Sequence, residues 1–242
     1  MQIDMERIVV GARKVLEPFF AAFPEGLDGR IKAAVVTGEA ALPGFVVGGT
    51  AIELMLLVDQ VDRTLLDQVG KAVRPLTRKG LVPPLILTQD ELASSLDAFP
   101  LEFLTVKATG IVVAGDCELS GLDIKTSDLR VQCERELRGL LLHARMAAVQ
   151  SGEREAELGR MLAAGSGKLI TVLRGLDVLA GGDGKGTVSE LTARLAERKL
   201  ADGDLLESLL ARRLQKKPKV TETQWLELSG LLKGLVEWVD GL

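Results

Sequence analysis

The hydrophobic pattern changes partway along the chain. In the first half, short apolar runs alternate with amphipathic stretches. Ile8, Ala12, Val15, Leu16 and Phe19 recur at helical spacing and predict an opening helix. Residues 31–37 (IKAAVVT) and 51–58 (AIELMLLV) are rich in β-branched and apolar residues and predict strands. Residues 62–79 predict a helix. Residues 81–87 (LVPPLIL) predict a short strand whose prolines favour its start or a sheet edge. Thr88 and Glu91 fit a capping box that opens a helix over LASSLDAF. Residues 102–107 and 111–114 predict two further short strands. Near-continuously apolar strands separated by helices imply a sheet with at least one covered face.

From Ser127 the pattern is helical. Leu137, Leu140, Leu141, Ala144 and Ala148 form one stripe. Leu158, Met161, Leu162, Leu169, Val172, Leu173 and Leu176 form a second. GGDGKG at 181–186 breaks the chain and predicts a flexible connector. Capping boxes at Thr187/Glu190 and Thr221/Gln224 open later helices. In the last of these, Trp225, Leu228, Leu232, Leu235, Val239 and Leu242 alternate three and four apart. The predicted fold class is therefore an α/β domain with a mixed sheet at 1–126, followed by an all-α helical bundle at 127–242.

Composition narrows the functional classes. The 242 residues are 47% hydrophobic and 26% charged, enough to bury a sizeable core. Aromatic residues are 3% and tyrosine is absent, so Leu, Val, Ile and Ala must build that core. A formal net charge of -4 gives no general reason to expect nucleic acid or an anionic membrane as partner. Cys117 and Cys133 match no metal-ligand spacing and predict a reducing, cytoplasmic compartment. The N-terminal MQIDMERIVVGARK carries early acids and no apolar signal core. His143 is the one histidine, which excludes a site needing two imidazoles and argues against a Ser–His or Cys–His triad. It is expected to be partly buried near its helix's apolar stripe, and Cys133 to be a core residue.

The chemistry centres on 35–59, VVTGEAALPGFVVGGTAIELMLLVD. A strand, a glycine turn, a loop and a second strand would bring Gly38 and Glu53 together at strand ends. Residues two apart on a strand share a face, so Ala51 and Glu53 occupy the positions of two carboxylates in an Asp-x-Asp pattern. Such a pair can hold two magnesium ions for phosphoryl transfer. A glycine turn lets backbone N–H groups approach phosphate.

In this order of elements the chain resembles the nucleotidyltransferase superfamily related to DNA polymerase β, in a bacterial branch of it. VVTGEA resembles that family's strand ending in Gly-Ser. TAIELMLLV at 50–58 resembles its Asp-x-Asp strand. LVPPLILTQDELASSLDAFPLEFLTVK at 81–107 and the helix SDLRVQCERELRGLLLHAR resemble its later elements. The resemblance covers about the first 150 residues. It implies a nucleotide-contacting turn at Gly38 and Glu39, and a metal ligand at Glu53. The departures are substantial. Glu39 replaces the family's serine, Ala51 its first carboxylate, and LVPPLIL lacks the third. A lone carboxylate does not bridge two ions. Glu39 adds negative charge near the phosphate position, a repulsion of several kcal/mol in a low-dielectric cleft. The expected function is a degenerate nucleotidyltransferase that binds a ligand or protein partner, with no cofactor.

Two rival readings stand beside it. One is a working Mg²⁺-dependent nucleotidyltransferase in which Glu39 or Asp59 assists Glu53. The other is a structural or regulatory homodimer held by the last helix with Trp225 and Trp238. AAGSGKLI at 163–170 lacks the residues of a phosphate-binding P-loop, since Leu162 and Leu169 stand at required positions. Its small residues instead predict close helix packing or a bend. The basic run RRLQKKPK at 212–219 has no interleaved aromatics, so it predicts a solvated linker rather than a nucleic-acid contact.

Overall fold

The computed structural model describes residues 3–22 and 29–242. They divide into two compact units. One comprises the residues up to Ala98 together with Thr105–Asp123; the other comprises Phe99–Leu104 and Ile124–Leu242.

The first unit is built on a four-stranded mixed sheet. Its strands are β1 (Ile31–Thr37), β2 (Glu53–Val58), β3 (Leu85–Leu87) and β4 (Ile111–Gly115), in the order β3-β2-β1-β4. β1 runs antiparallel to β2 and β4, and β2 runs parallel to β3. The apolar runs of β1 and β2 reflect burial on both faces: Ala33 and Val35 are as inaccessible as their neighbours Ala34 and Val36. Helix α1 (Val10–Ala21) inserts Ala12, Val15, Leu16, Phe19 and Phe20 into this core. Ile8 joins the same core from just before the helix, after a 3₁₀ turn at Met5–Arg7. β4 ends at Gly115 with φ +68°, where a Cβ would meet the Lys32 carbonyl oxygen, so only glycine fits that close approach.

Several boundaries differ from the expectations, each for a physical reason. β2 begins at Glu53, because Ile52 pairs instead with Leu81 in an isolated parallel bridge. Of 81–87, only Leu85–Leu87 is strand; Pro83 and Pro84 offer no N–H and interrupt the ladder. The helix expected over 62–79 is α2 (Arg63–Val73), which tightens at Arg74–Lys79 into a 3₁₀ turn containing Pro75. That turn ends on Gly80 at φ +95°. The helix after Thr88 is the short α3 (Gln89–Ser94), opened by the Thr88/Glu91 capping box.

The strand expected at 102–107 is wrong: these residues lie in helix α4 (Pro100–Thr109). Leu101, Phe103, Leu104, Thr105 and Val106 are all buried. A short helix covered on most sides has no apolar face to reveal its period, so its sequence mimics a buried strand.

The second unit is all helical. Its elements are α5 (Thr126–Ser151), α6 (Glu155–Ala164), α7 (Ser166–Leu179), α8 (Val188–Glu197), α9 (Gly203–Ala211) and α10 (Glu222–Asp240). Helices α7 and α10 pack against α5. The core joins Leu129, Cys133 and Leu137 to Val172, Leu173, Leu176, Leu232 and Leu235. Both remaining capping boxes form, at Thr187/Glu190 and Thr221/Gln224. The single stripe expected over 158–176 is divided between α6 and α7 by a break at Gly165. Among the described residues, no helix is long and apolar enough to cross a membrane.

Candidate functional site

β1 and β2 bring Thr37 and Glu53 opposite one another at the end of their ladder. The next residue, Gly38, turns the chain out of the sheet at φ +68° into a 3₁₀ turn over Gly38–Ala41. A Cβ at Gly38 would lie 2.7 Å from Glu53 Oε2, so the acid packs directly against the glycine turn. The expected proximity of Gly38 and Glu53 is present in the fold.

The turn is also held from α4. The Gly38 amide donates to Thr109 Oγ1 at 2.9 Å, and Thr109 Oγ1 lies 2.7 Å from the Thr105 carbonyl oxygen. Thr37 Oγ1 lies 3.2 Å from Thr109 Oγ1. A hydroxyl carries one hydrogen. Thr109 gives its hydrogen to the Thr105 carbonyl, so Thr37 is the donor to Thr109. The Gly38 backbone N–H is therefore engaged by a buried side chain. Sequence reasoning missed Thr109 because the segment before it was read as strand. The available signal was a threonine followed by glycine after an apolar run, a helix-end pattern.

The remaining carboxylates of the expected site do not converge. Ala51 lies before β2, outside the ladder. Asp59 follows Glu53 by six positions, roughly 20 Å along extended chain. It pairs with Lys32 at 2.9 Å, and its amide bonds the Arg30 carbonyl oxygen. The expectation that Asp59 could assist Glu53 is corrected by this placement at the opposite end of the strand. Glu39 is half-buried in the turn itself. β3, beside β2, consists of Leu85, Ile86 and Leu87. Among the described residues, no three His, Cys, Asp or Glu side chains gather where they could hold a metal ion. The residues present do not fit a two-magnesium centre.

Of the other singled-out residues, all but Cys117 lie in the second unit. His143 is exposed on α5, not partly buried as expected, because it lies off the line of Leu137, Ala144 and Ala147 that faces the core. Cys133 is fully buried, and burial, with Glu136 nearby, pushes its thiol pKa up to about 12. Cys117 is half-buried in the first unit, and burial raises its pKa too, with Asp116 adding to the shift. Trp225 donates its indole N–H to the Ala144 carbonyl oxygen at 2.9 Å, and Trp238 packs against the core. Both tryptophans thus have roles within their own unit. In the basic run, Lys216, Lys217 and Lys219 are exposed while Pro218 is buried.

The loop at 181–186 is not a loose connector. Arg174 donates to the carbonyl oxygens of Gly184 (2.7 Å) and Gly186 (2.9 Å). Asp177, fully buried, accepts from the Gly184 amide at 3.0 Å, from Arg194 through two bonds at 3.0 Å, and from Arg198 at 2.7 Å. Burial alone would raise the Asp177 pKa, but the bonds from Arg194, Gly184 and Arg198 together hold it below the ordinary carboxylate value. The missed signal was an arginine and an aspartate three apart inside an apolar stripe of α7. Charges on a buried face need partners, and the glycines supply backbone groups at close range.

No protein-family model matches this sequence, and no curated protein matches it.

Proposed function

We propose that the first unit is a nucleotidyltransferase-like domain that has lost nucleotidyl transfer and acts by binding a ligand or a protein partner. The observation that carries this reading is the bond from the Gly38 amide to Thr109 Oγ1. A turn whose amide already has an acceptor offers less to a phosphate than an open one. The Glu53 carboxylate against the same glycine adds negative charge where phosphate oxygens would have to come. A mixed sheet with the glycine turn at the end of β1, and Glu53 opposite that end, supports the nucleotidyltransferase-like part of the reading.

The test is a melting-temperature series with each of four nucleoside triphosphates plus Mg²⁺, on wild type and Glu53→Gln. A ligand that binds only the native state raises the transition. The proposed reading expects no shift in wild type. A shift that disappears in Glu53→Gln favours a working enzyme instead.

A further inference from the structure

Positive charge in the first unit is gathered on one element. Residues 63–79, helix α2 and the 3₁₀ turn that extends it, hold five of the unit's eleven arginines and lysines but one of its sixteen aspartates and glutamates. The remainder of the unit carries six bases against fifteen acids. Leu65, Val69, Ala72, Val73 and Leu76 bury one side of this element. Lys71, Arg74 and Arg78, spaced three and four apart, are exposed on the other side, and Lys79 is exposed at its end.

Six of the unit's other seven cations have partners. Arg30 pairs with Asp62 at 2.8 Å, Lys32 with Asp59 at 2.9 Å and Arg63 with Asp67 at 3.1 Å. Arg7, Arg13 and Lys107 donate to carbonyl oxygens. Lys71, Arg74, Arg78 and Lys79 form no side-chain hydrogen bond or ion pair among the described residues. The backbone that carries them is held in place. The Gly80 carbonyl oxygen accepts from the Ile52 amide at 2.8 Å, and the Val82 amide donates to the Ile52 carbonyl oxygen at 3.2 Å. Leu66 is the one large apolar side chain exposed between 63 and 79, so the surface offers charge and little apolar area.

We propose that this ridge docks a short acidic segment of a partner protein, whose Asp or Glu carboxylates meet Lys71, Arg74, Arg78 and Lys79. An exposed ion pair is weak alone, so several must form at once, and a run of carboxylates supplies them. Arginine presents a planar fork to a carboxylate and lysine a point charge. From Lys71 to Lys79 the ridge is about 12–15 Å long at helical rise, the span of about four extended residues. A nucleic-acid duplex carries its charge far beyond that length and would face the acids of the rest of the unit, whereas a short segment stays on the ridge. The surface stands on its own charges and holds whether or not the first unit is nucleotidyltransferase-like.

The test is fluorescence anisotropy of a dye-labelled hexaglutamate peptide titrated with the full chain at low ionic strength. Hexaglutamate binds, its glutamine counterpart does not, and binding weakens as salt is raised. The quadruple variant Lys71→Gln, Arg74→Gln, Arg78→Gln, Lys79→Gln weakens binding at least about tenfold. The triple variant Lys216→Gln, Lys217→Gln, Lys219→Gln removes exposed lysines from the second unit and leaves binding unchanged. The proposal is overturned if wild type does not bind hexaglutamate up to the protein's solubility limit, or if both variants weaken it equally. It is equally overturned if a short DNA duplex binds more tightly than hexaglutamate and depends on the same four residues, which would make the ridge a nucleic-acid surface. Should the quadruple variant not fold by circular dichroism, Arg78→Glu alone decides: weaker binding supports the ridge and unchanged binding overturns it.

Discussion

Thr109 Oγ1 accepts the amide hydrogen of Gly38 at 2.9 Å, across 71 positions of sequence. The bond ties the end of α4 to the turn after β1. It also closes the backbone group that a phosphate-binding turn would present. The hydroxyls of Thr37 and Thr109 and the Thr105 carbonyl oxygen continue the chain of hydrogen bonds into the interior.

Removing that acceptor leaves the Gly38 amide and the Thr37 hydroxyl without it. Thr109→Val is expected to destabilise the protein by about 1–3 kcal/mol, the cost of a stranded buried polar group. Thr109→Ser keeps the hydroxyl and should recover most of the loss. Urea denaturation with an unchanged m-value measures both.

Gly38 predicts a backbone cost. Its φ is +68°, so Gly38→Ala is expected to lose roughly 1–2 kcal/mol. The new methyl would lie 2.7 Å from Glu53 Oε2, the tip of an exposed side chain that can turn aside. A double-mutant cycle with Glu53→Ala should therefore show a coupling that is small beside the backbone cost. A coupling as large as the backbone cost would contradict this.

Asp177 predicts both a mutational effect and a pH dependence. Asp177→Asn leaves Arg194 and Arg198 without their carboxylate. Loss of one partner in a buried ion pair costs about 3–5 kcal/mol, and the lower end is expected because both arginines are partly solvated. The carboxyl pKa is lowered in the folded state, so its contribution is fully present above the unfolded value near 3.9. It is lost as pH falls below that value toward the folded pKa. Stability measured from pH 6 downward should fall less steeply below about pH 4 in Asp177→Asn than in wild type. Parallel curves would remove Asp177 from the acid response.

The two cysteines should differ in reactivity. Only thiolate alkylates readily, and the Cys133 thiol is fully buried with its pKa pushed up to about 12. With iodoacetamide at pH 8, Cys117 should be modified first. Cys133 should be modified only when the chain is unfolded, as peptide mass mapping would show.

How far each feature could be read from sequence follows the range of its interactions. The three capping boxes join residues three apart, so Thr88/Glu91, Thr187/Glu190 and Thr221/Gln224 were all legible. β1 was legible because a strand covered on both faces is a continuous apolar run. The same logic misread α4, since a helix with Leu101, Phe103, Leu104 and Val106 all buried gives a similar run. The site was legible only where neighbouring strands supplied it. The Thr37–Glu53 pairing follows from an antiparallel arrangement of β1 and β2. The Thr109 contact depends on where a distant helix ends, and Asp59 was misplaced because face was considered without distance along the strand. The Asp177 network was hidden because its arginines come from a later helix.

The state of the Gly38 amide tests the central claim most directly. With glycine nitrogens labelled by ¹⁵N, the Gly38 resonance can be followed by NMR while nucleoside triphosphates and Mg²⁺ are added. A turn closed by Thr109 and Glu53 predicts slow hydrogen exchange at Gly38 and no movement of its resonance at saturating nucleotide. A rapidly exchanging amide that shifts on nucleotide addition would contradict the account, because the turn would then be open to phosphate.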